Sequence, residues 1–213
     1  MAVLAFRLNE KLYLRDPRHT QLGQNIISKS VVMIDELGFE DFTFRKLAEA
    51  INSTEASVYR YFENKHRLLH YLVTWYWSWL DYRIELATAS LAQPREKLMV
   101  AVRIMTDETK NDPAFEFVNE EILHRIVVAE LDKTYLTKWV DADNHEGLFF
   151  GLKNVTQRLA ALMEQIYPGY PFASSLASTI VIAANKQPFF IDHLPSLSSI
   201  SQQDTGSDRN EKP

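Results

Sequence analysis

The chain has 213 residues, 46% of them hydrophobic and 24% charged, a composition typical of a globular protein that can bury a core. It contains no cysteine, which excludes disulfide bonds, thiolate zinc sites and a cysteine nucleophile. The net charge of −5 argues against a general polyanion binder, but residues 1–67 carry 10 basic and 9 acidic residues (+1) and the rest carry 13 and 19 (−6), so the first third is compatible with local contact to DNA.

The first 19 residues predict an N-terminal arm or hairpin. Leu4, Phe6 and Leu8 alternate weakly with polar and small residues, and Asn9 with Glu10 could form a turn. A packed or solvated extension is favoured over an arm that touches DNA. Because the stretch has no basic start followed by an apolar run, we expect no signal peptide.

A helical period begins after Thr20. Apolar residues recur on one face at Ile27, Val31, Ile34 and Leu37, and Gly38 is expected to end this first helix.

Two short helices follow and are predicted to form a helix-turn-helix. Thr43 is a suitable N-cap for the second helix and Thr54 for the third. Asn52 stands where the chain must turn, and asparagine tolerates the left-handed backbone conformation better than most residues. Two helices joined by such a tight turn form the motif that places a recognition helix in the major groove.

The fourth helix is predicted to begin at Asn64 with three basic residues, Lys65, His66 and Arg67, in its first turn. Cations oppose the helix dipole at this end. The conflict is relieved when a phosphate binds there, since the free N–H groups, the dipole and the side chains then act on one anion. Beside a helix-turn-helix this interpretation is favoured over an exposed basic turn.

The remainder of the chain is predicted to be helical up to residue 194. Pro94 suits the first turn of a helix, and the segment that ends at residue 143 is expected to form one or two more. Spacings of three and four residues predict a single-faced helix with the stripe Leu148, Leu152, Val155, Leu159, Leu162 and Ile166. A last helix over residues 172–187 is expected to be interrupted near Pro188, and residues 195–213 to form a disordered tail.

No segment predicts a membrane helix or a metal site. The most apolar stretch, residues 172–191, contains polar residues and a proline, whereas a span needs about 20 uninterrupted apolar residues; we therefore expect a cytoplasmic protein. Residues 141–147, DADNHEG, lack the glutamate that a calcium loop needs twelve positions from Asp141, where Leu152 stands, so we expect a solvated loop and no metal. His124 is expected on a helix surface or in the core. With no P-loop, nucleophile elbow or dinucleotide-binding glycines, we expect neither an enzyme nor a cofactor.

One segment joins these signals in a fixed order: an apolar helix, then GFEDFTFRKLAEA, a turn, STEASVYRYF and NKHRLL. On this order, on the Tyr-x-x-Phe pair and on the Asn-Lys start of the fourth helix, residues 26–69 resemble the TetR family of transcriptional regulators. Many members have Leu-Gly-Val-Ser at the turn, where this chain has Ile51, Asn52, Ser53 and Thr54.

The resemblance implies an all-α homodimer with two DNA-reading heads on a palindromic operator of double-stranded DNA. The N-terminal arm of residues 1–19 would precede a helix-turn-helix domain of residues 20–66. Residues 67–194 would form a larger helical domain that binds a small effector and dimerises through its last two long helices. Such a protein is expected to be a repressor.

The resemblance also implies roles for individual residues. Thr43 and Tyr59 would contact phosphates through their hydroxyls, and Lys65 would contact a phosphate at the start of the fourth helix. Arg45 would reach a base edge or a phosphate. The recognition helix, capped by Thr54, would present Glu55, Ala56, Ser57 and Arg60. Tyr61 is more simply explained as a residue at the edge of the core.

An aromatic cluster on the fourth helix suggests where an effector would bind. Trp75, Tyr76 and Trp79 lie close together in the sequence, and Met99 and Met105 follow on the next helix. Core packing explains the aromatic residues more simply, but a mostly apolar small molecule bound beside this helix would be placed to release DNA.

Two alternatives stay open at this point. The chain could be a DNA-binding regulator controlled by a protein partner without a small-molecule effector, or an all-α enzyme with a helix-turn-helix-like head. A cavity search on the larger domain would separate the first from the proposed regulator, and the absence of paired acid and base residues argues against the second.

Overall fold

The structure, a computed structural model, describes residues 8–107 and 117–199. The first strand of the predicted hairpin and most of the predicted tail lie outside this range. The described residues form ten α-helices and no strand, which confirms the all-α prediction. The helices are α1 (Gln21–Asp41), α2 (Phe44–Ala50), α3 (Glu55–Tyr59), α4 (Lys65–Thr88), α5 (Pro94–Thr106), α6 (Glu120–Glu130), α7 (Asp132–Tyr135), α8 (Val140–His145), α9 (Phe150–Ile166) and α10 (Ala173–His193). Among them, none has the length and apolarity that crossing a bilayer demands.

The described residues divide into two compact units. Residues 8–79 and 117–152 form the first, and residues 80–107 and 153–199 form the second. The predicted boundary between residues 66 and 67 separates a DNA-binding domain from a dimerisation domain. It was not drawn on the compactness of the units, and it stays a prediction.

Helix α1 begins directly after Thr20, as predicted, and has a break at the glycine that was predicted to end it. Its N-cap, Thr20, accepts a hydrogen bond from the Gly23 amide at 3.0 Å. Ile27, Val31 and Ile34 of the predicted stripe are buried, whereas Leu37 is 41% exposed. Gly38 adopts a positive φ of 77° inside the segment, which glycine tolerates because it has no Cβ.

The residues before α1 form two 3-10 turns, Glu10–Leu12 and Pro17–His19. The second strand of the predicted hairpin is therefore not formed, because the Asn9 side chain accepts a hydrogen bond from the Lys11 amide and closes a turn instead. Leu12 is buried, so this segment packs as an extension of the first unit.

Helices α5, α9 and α10 belong wholly or mainly to the second unit, where α10 packs against α5. The α9 stripe is buried at Val155, Leu159 and Leu162. The prediction that the last helix is interrupted near Pro188 is wrong, since α10 continues to His193. Pro188 removes only one backbone donor, and the flanking residues retain helical geometry.

Candidate nucleic-acid interface

Local capping builds the two helices of the helix-turn-helix. Thr43 accepts a hydrogen bond from the Lys46 amide at 3.2 Å and Thr54 accepts one from the Ser57 amide at 3.2 Å, which confirms both predicted N-caps. Asn52, in the turn between them, has a φ of 51°, the left-handed conformation expected of it.

A small apolar core holds α3 in place. Leu47 of α2, Val58 of α3 and Phe62 behind it are all inaccessible to solvent. The ring of Tyr59 packs edge-on against Phe44, with 5.1 Å between centroids, while Tyr59 as a whole stays exposed. A helix of five residues is too short to be stable alone, so its position is set by this packing.

The residues predicted to bind DNA fall on the exposed side of this motif, with two exceptions. Ser57 and Lys65 are half-buried, and the others are exposed: Thr43, Arg45, Thr54, Glu55, Ala56, Tyr59 and Arg60. Arg45 forms an exposed ion pair with Glu49 at 3.1 Å, and Arg60 donates to the Ser57 hydroxyl at 3.0 Å. Exposed pairs of this kind contribute little stability.

Tyr61 is a core residue, as the simpler interpretation of the sequence held. It is buried, and its hydroxyl lies 2.7 Å from the Thr20 hydroxyl. This contact connects the N-cap of α1 to the segment that follows α3.

Lys65 has protein partners that the sequence did not reveal. Its ammonium group donates to the backbone carbonyls of Phe39 (3.0 Å), Glu40 (2.8 Å) and Phe42 (3.2 Å) and lies 4.8 Å from the centre of the Phe39 ring. Three carbonyl acceptors use all three donors of an ammonium group. Lys65 thus fastens the start of α4 to the last residues of α1 and to Phe42, which follows it.

Arg67 also has a partner distant in sequence. Its guanidinium donates to Asp143 Oδ1 at 2.9 Å and lies 3.9 Å from a Glu146 carboxylate oxygen. The predicted solvated loop at residues 141–147 is therefore wrong in part: residues up to His145 form α8, and Asp143 is buried. Its pairing with Arg67 offsets the cost of burying the carboxylate. Within the described residues no group of three or more His, Asp or Glu could hold a metal ion.

The aromatic residues of α4 form a packed cluster. Trp75 and Trp79 stack with 6.5 Å between ring centroids, and Tyr76 lies 5.7 Å from Trp79. The Tyr76 hydroxyl lies 2.7 Å from Nδ1 of His124 on α6, and burial lowers the pKa of His124 to about 4. This histidine is therefore neutral at pH 7.

The five residues predicted to bind an effector divide between the two units. The three aromatic residues are buried in the first unit, whereas Met99 and Met105 lie on α5 in the second. Met99 is 59% exposed and Met105 is buried. Their role in effector binding stays a prediction.

Comparisons with known proteins agree with this architecture. Residues 26–72 match the family model for bacterial regulatory proteins of the tetR family. None of the curated proteins matches the chain by sequence.

Several solved structures share the fold over most of the chain. A complex of AibR with isovaleryl coenzyme A and operator DNA has a TM-score of 0.58 at 15% identity, covering 85% of this chain and 93% of that one. The superantigen PfiT has a TM-score of 0.59 at 13% identity, with coverages of 89% and 93%. The fatty acid degradation regulator FadR from Bacillus halodurans has a TM-score of 0.50 at 18% identity, with coverages of 88% and 96%. At such low identities the likeness concerns the fold, and a fold by itself does not assign a function.

Proposed function

We propose that this chain is a DNA-binding transcriptional regulator of the TetR family, and that it is a homodimeric repressor which a small molecule releases from a palindromic operator. The observation that carries DNA binding is the coincidence of the family match with an exposed recognition helix. That helix is capped by Thr54 and supported by the buried Val58.

Each exposed side chain of the motif has a role that its chemistry suits. Arg60 can pair with the two acceptors of guanine in the major groove, and Glu55 can accept from cytosine N4 or repel the phosphates of wrong registers. Ala56 and Ser57 complete the face of α3. The hydroxyls of Thr43 and Tyr59 suit phosphate oxygens, and Arg45 suits a phosphate or a base edge.

Replacing Arg60 with Ala is expected to relax the preference for one base at defined operator positions. A good bidentate contact to guanine discriminates against other bases by about 1–3 kcal/mol, so the preference should fall by one order of magnitude or more. Selection of bound fragments from random DNA, with sequencing, measures this directly. The unmodified protein should select a palindrome whose two halves each contain the position affected in the variant.

The matched control is Arg95→Ala, which removes an exposed arginine from α5, outside the helix-turn-helix. The control should select the same palindrome as the unmodified protein. If Arg60→Ala weakens all sequences equally, Arg60 contacts the DNA backbone. If the unmodified protein selects no motif, the operator-binding function itself is wrong.

The proposed dimer interface uses the outward faces of residues 148–167 and 172–187. The buried α9 stripe is occupied within the chain, but α10 exposes a face of small and apolar residues: Ser175, Leu176, Thr179 and Ala183. Small side chains let two helices approach closely, and a two-fold dimer presents two heads to two half-sites about one helical turn apart.

Replacing Ala183 with Glu is expected to separate the dimer into folded monomers. The side chain is exposed in the single chain, so the fold should tolerate glutamate, whereas a symmetric interface would bring two carboxylates together. Light scattering measures the mass and circular dichroism the helix content. Ala129→Glu, at an exposed site on α6, should stay dimeric. A dimeric Ala183→Glu variant would show that this face is not the interface.

Contacts inside the first unit support effector control through α4. His124 of α6 meets Tyr76 in the aromatic cluster, and the adjacent Arg125 donates to both Asp35 carboxylate oxygens of α1, at 3.0 and 2.7 Å. A ligand that displaces Tyr76 would therefore shift the position of α6. Because Arg125 of α6 is bound to Asp35, the shift would be passed on to α1, the first helix of the proposed DNA-binding domain. A coupling of about 1–3 kcal/mol is enough to change operator occupancy.

The complex of AibR, which holds both a coenzyme A thioester and operator DNA, supports an effector in this fold. The predicted site for this chain remains the neighbourhood of Trp75, Tyr76 and Trp79, with Met99 and Met105 as further candidates.

A further inference from the structure

A cleft of about 510 Å³ opens in the first unit between the start of α4 and the segment that contains α7 and α8. This volume is within the range of small-molecule sites, about 300–1,000 Å³. None of the five predicted effector residues borders it. Its walls are formed by Glu63, Asn64, His66, Arg67, His70, Lys133, Thr134, Thr137, Lys138, Trp139 and Asp143.

The basic residues that line the cleft differ in whether they have a carboxylate partner. Arg67 is neutralised by Asp143, and Lys133 by Glu40 and Glu130 at 2.7 and 2.8 Å. For Lys138 the described part of the chain provides no carboxylate within ion-pair distance; its ammonium lies 4.9 Å from the centre of the Trp139 ring.

The start of α4 adds a second positive contribution. The first amides of a helix lack acceptors within it and carry part of the dipole's positive charge. Asn64 caps the Arg67 amide at 2.9 Å, and the acidic residues of the lining are Glu63 and Asp143, of which Asp143 is paired with Arg67. With Lys138 also in the lining, the cleft can still accept an anion.

His70 forms part of the cleft wall and carries an unsatisfied polar atom. The residue is 4% exposed, and its Nε2 is buried without a hydrogen-bond partner among the residues described. Its ring lies 5.1 Å from Phe149, and burial lowers its pKa to about 4. A neutral imidazole whose nitrogen is unpaired is costly unless water or a ligand satisfies it.

Trp139 supplies an aromatic surface at the rim. It is 63% exposed, whereas the other three tryptophans of the chain are buried. An exposed indole beside a lysine is suited to stacking on a second ring whose acidic group meets the ammonium.

We propose that this cleft binds a small aromatic acid, whose ring stacks on Trp139, whose anionic group meets Lys138 and the start of α4, and whose polar substituent is directed at His70, the wall residue with the unsatisfied Nε2. The binding step does not depend on DNA. The further consequence, that such an acid is an effector, rests on the proposed regulatory function.

Calorimetric titration of the full chain tests the binding step with three probes. We expect 4-hydroxybenzoate to bind with a dissociation constant below about 1 mM, and the uncharged 4-hydroxybenzamide to bind about tenfold more weakly, since a hydrogen bond to a charged group is lost. Phenyl phosphate is the third probe, and its rank against 4-hydroxybenzoate distinguishes a phosphate ester from a carboxylic acid as the natural ligand. If neither anion binds, or if the amide binds equally well, the proposal is wrong.

Three variants assign the contacts. Lys138→Gln and Trp139→Leu change exposed side chains, and His70→Phe keeps a ring beside Phe149 while removing Nε2. Each variant should lower the affinity for 4-hydroxybenzoate by about threefold to tenfold. Arg95→Gln, an exposed control on α5, should leave the affinity unchanged. Unchanged affinity in both Lys138→Gln and Trp139→Leu would overturn the proposal, whether or not His70→Phe folds.

Acrylamide quenching of tryptophan fluorescence gives an independent readout. Because Trp139 is the exposed tryptophan, it should dominate the quenching of the free protein, and bound probe should protect it. If the probe protects Trp139 but does not release operator DNA, the cleft is a binding site but its ligand is not an effector. Failure of the protein to bind any DNA would instead overturn the proposed function and leave the calorimetric result intact.

Discussion

Replacing Leu159 with Glu is expected to unfold the second unit rather than release folded monomers. From the sequence alone, Leu159 could belong to a subunit interface or to a private core. In the single chain its side chain is completely buried, on the α9 face that it shares with Val155 and Leu162. The loss of a buried leucine costs about 2–5 kcal/mol, and the burial of an unpaired carboxylate adds to this. The sum approaches the whole stability of a typical domain, about 5–15 kcal/mol.

Thermal denaturation followed by circular dichroism, with light scattering on the same samples, measures the outcome. Gln157→Glu is the matched control, since it places the same carboxylate at an exposed position of α9, and its melting temperature should change little. A folded, monomeric Leu159→Glu protein would show that Leu159 lies at a subunit interface and not in the core of the single chain.

Replacing Lys65 with Met is expected to destabilise the first unit and to weaken DNA binding indirectly. Methionine keeps an apolar side chain beside Phe39 but removes the ammonium group and its three hydrogen bonds to backbone carbonyls. Hydrogen bonds to charged groups contribute about 1.5–3 kcal/mol each at most, and these are partly exposed, so we expect a total loss of about 2–4 kcal/mol. Denaturant titration measures the free energy of unfolding.

The salt dependence of operator binding distinguishes this role from the phosphate contact that the sequence suggested for Lys65. Loss of one phosphate contact changes the slope of log affinity against log salt by about 0.9. We expect lower affinity with an unchanged slope, because the variant loosens the head rather than removing a contact to DNA. A smaller slope with an unchanged free energy of unfolding would show that Lys65 contacts a phosphate after all.

Lys46→Met is the matched control for stability. The Lys46 ammonium donates to one exposed carbonyl, that of Asp41, at 2.8 Å. Its loss should cost about 1 kcal/mol or less, in line with a solvent-screened contact. Equal losses in the two variants would show that the number of carbonyls fastened by Lys65 does not matter.

The sequence by itself determined the local structure of the head. Thr43 and Thr54 cap α2 and α3, and Asn52 takes the left-handed conformation, because each acts on backbone groups within about three residues. The same holds for the break inside α1 at Gly38, where φ is positive. These short-range rules were enough to predict the helix-turn-helix and the all-α class, and the segment that they shape is the one that matches the tetR family model, residues 26–72.

Only the tertiary structure decided which partners the basic residues of α4 have. Lys65 meets carbonyls 23 to 26 residues earlier in the chain, and Arg67 meets Asp143, 76 residues later. A charge pattern in the sequence shows that a cation needs a counterpart but not whether protein or DNA supplies it.

The cleft and the burial of α9 also depend on segments that are distant in the sequence. His70 and Trp139 are brought to one cavity by packing, and no periodicity links them. An apolar stripe such as that of Leu159 predicts that a face is buried, but not against what. Burial depends on total packing, and the hydrophobic effect that drives it is non-directional, so the identity of the covering surface can be read only from the folded chain.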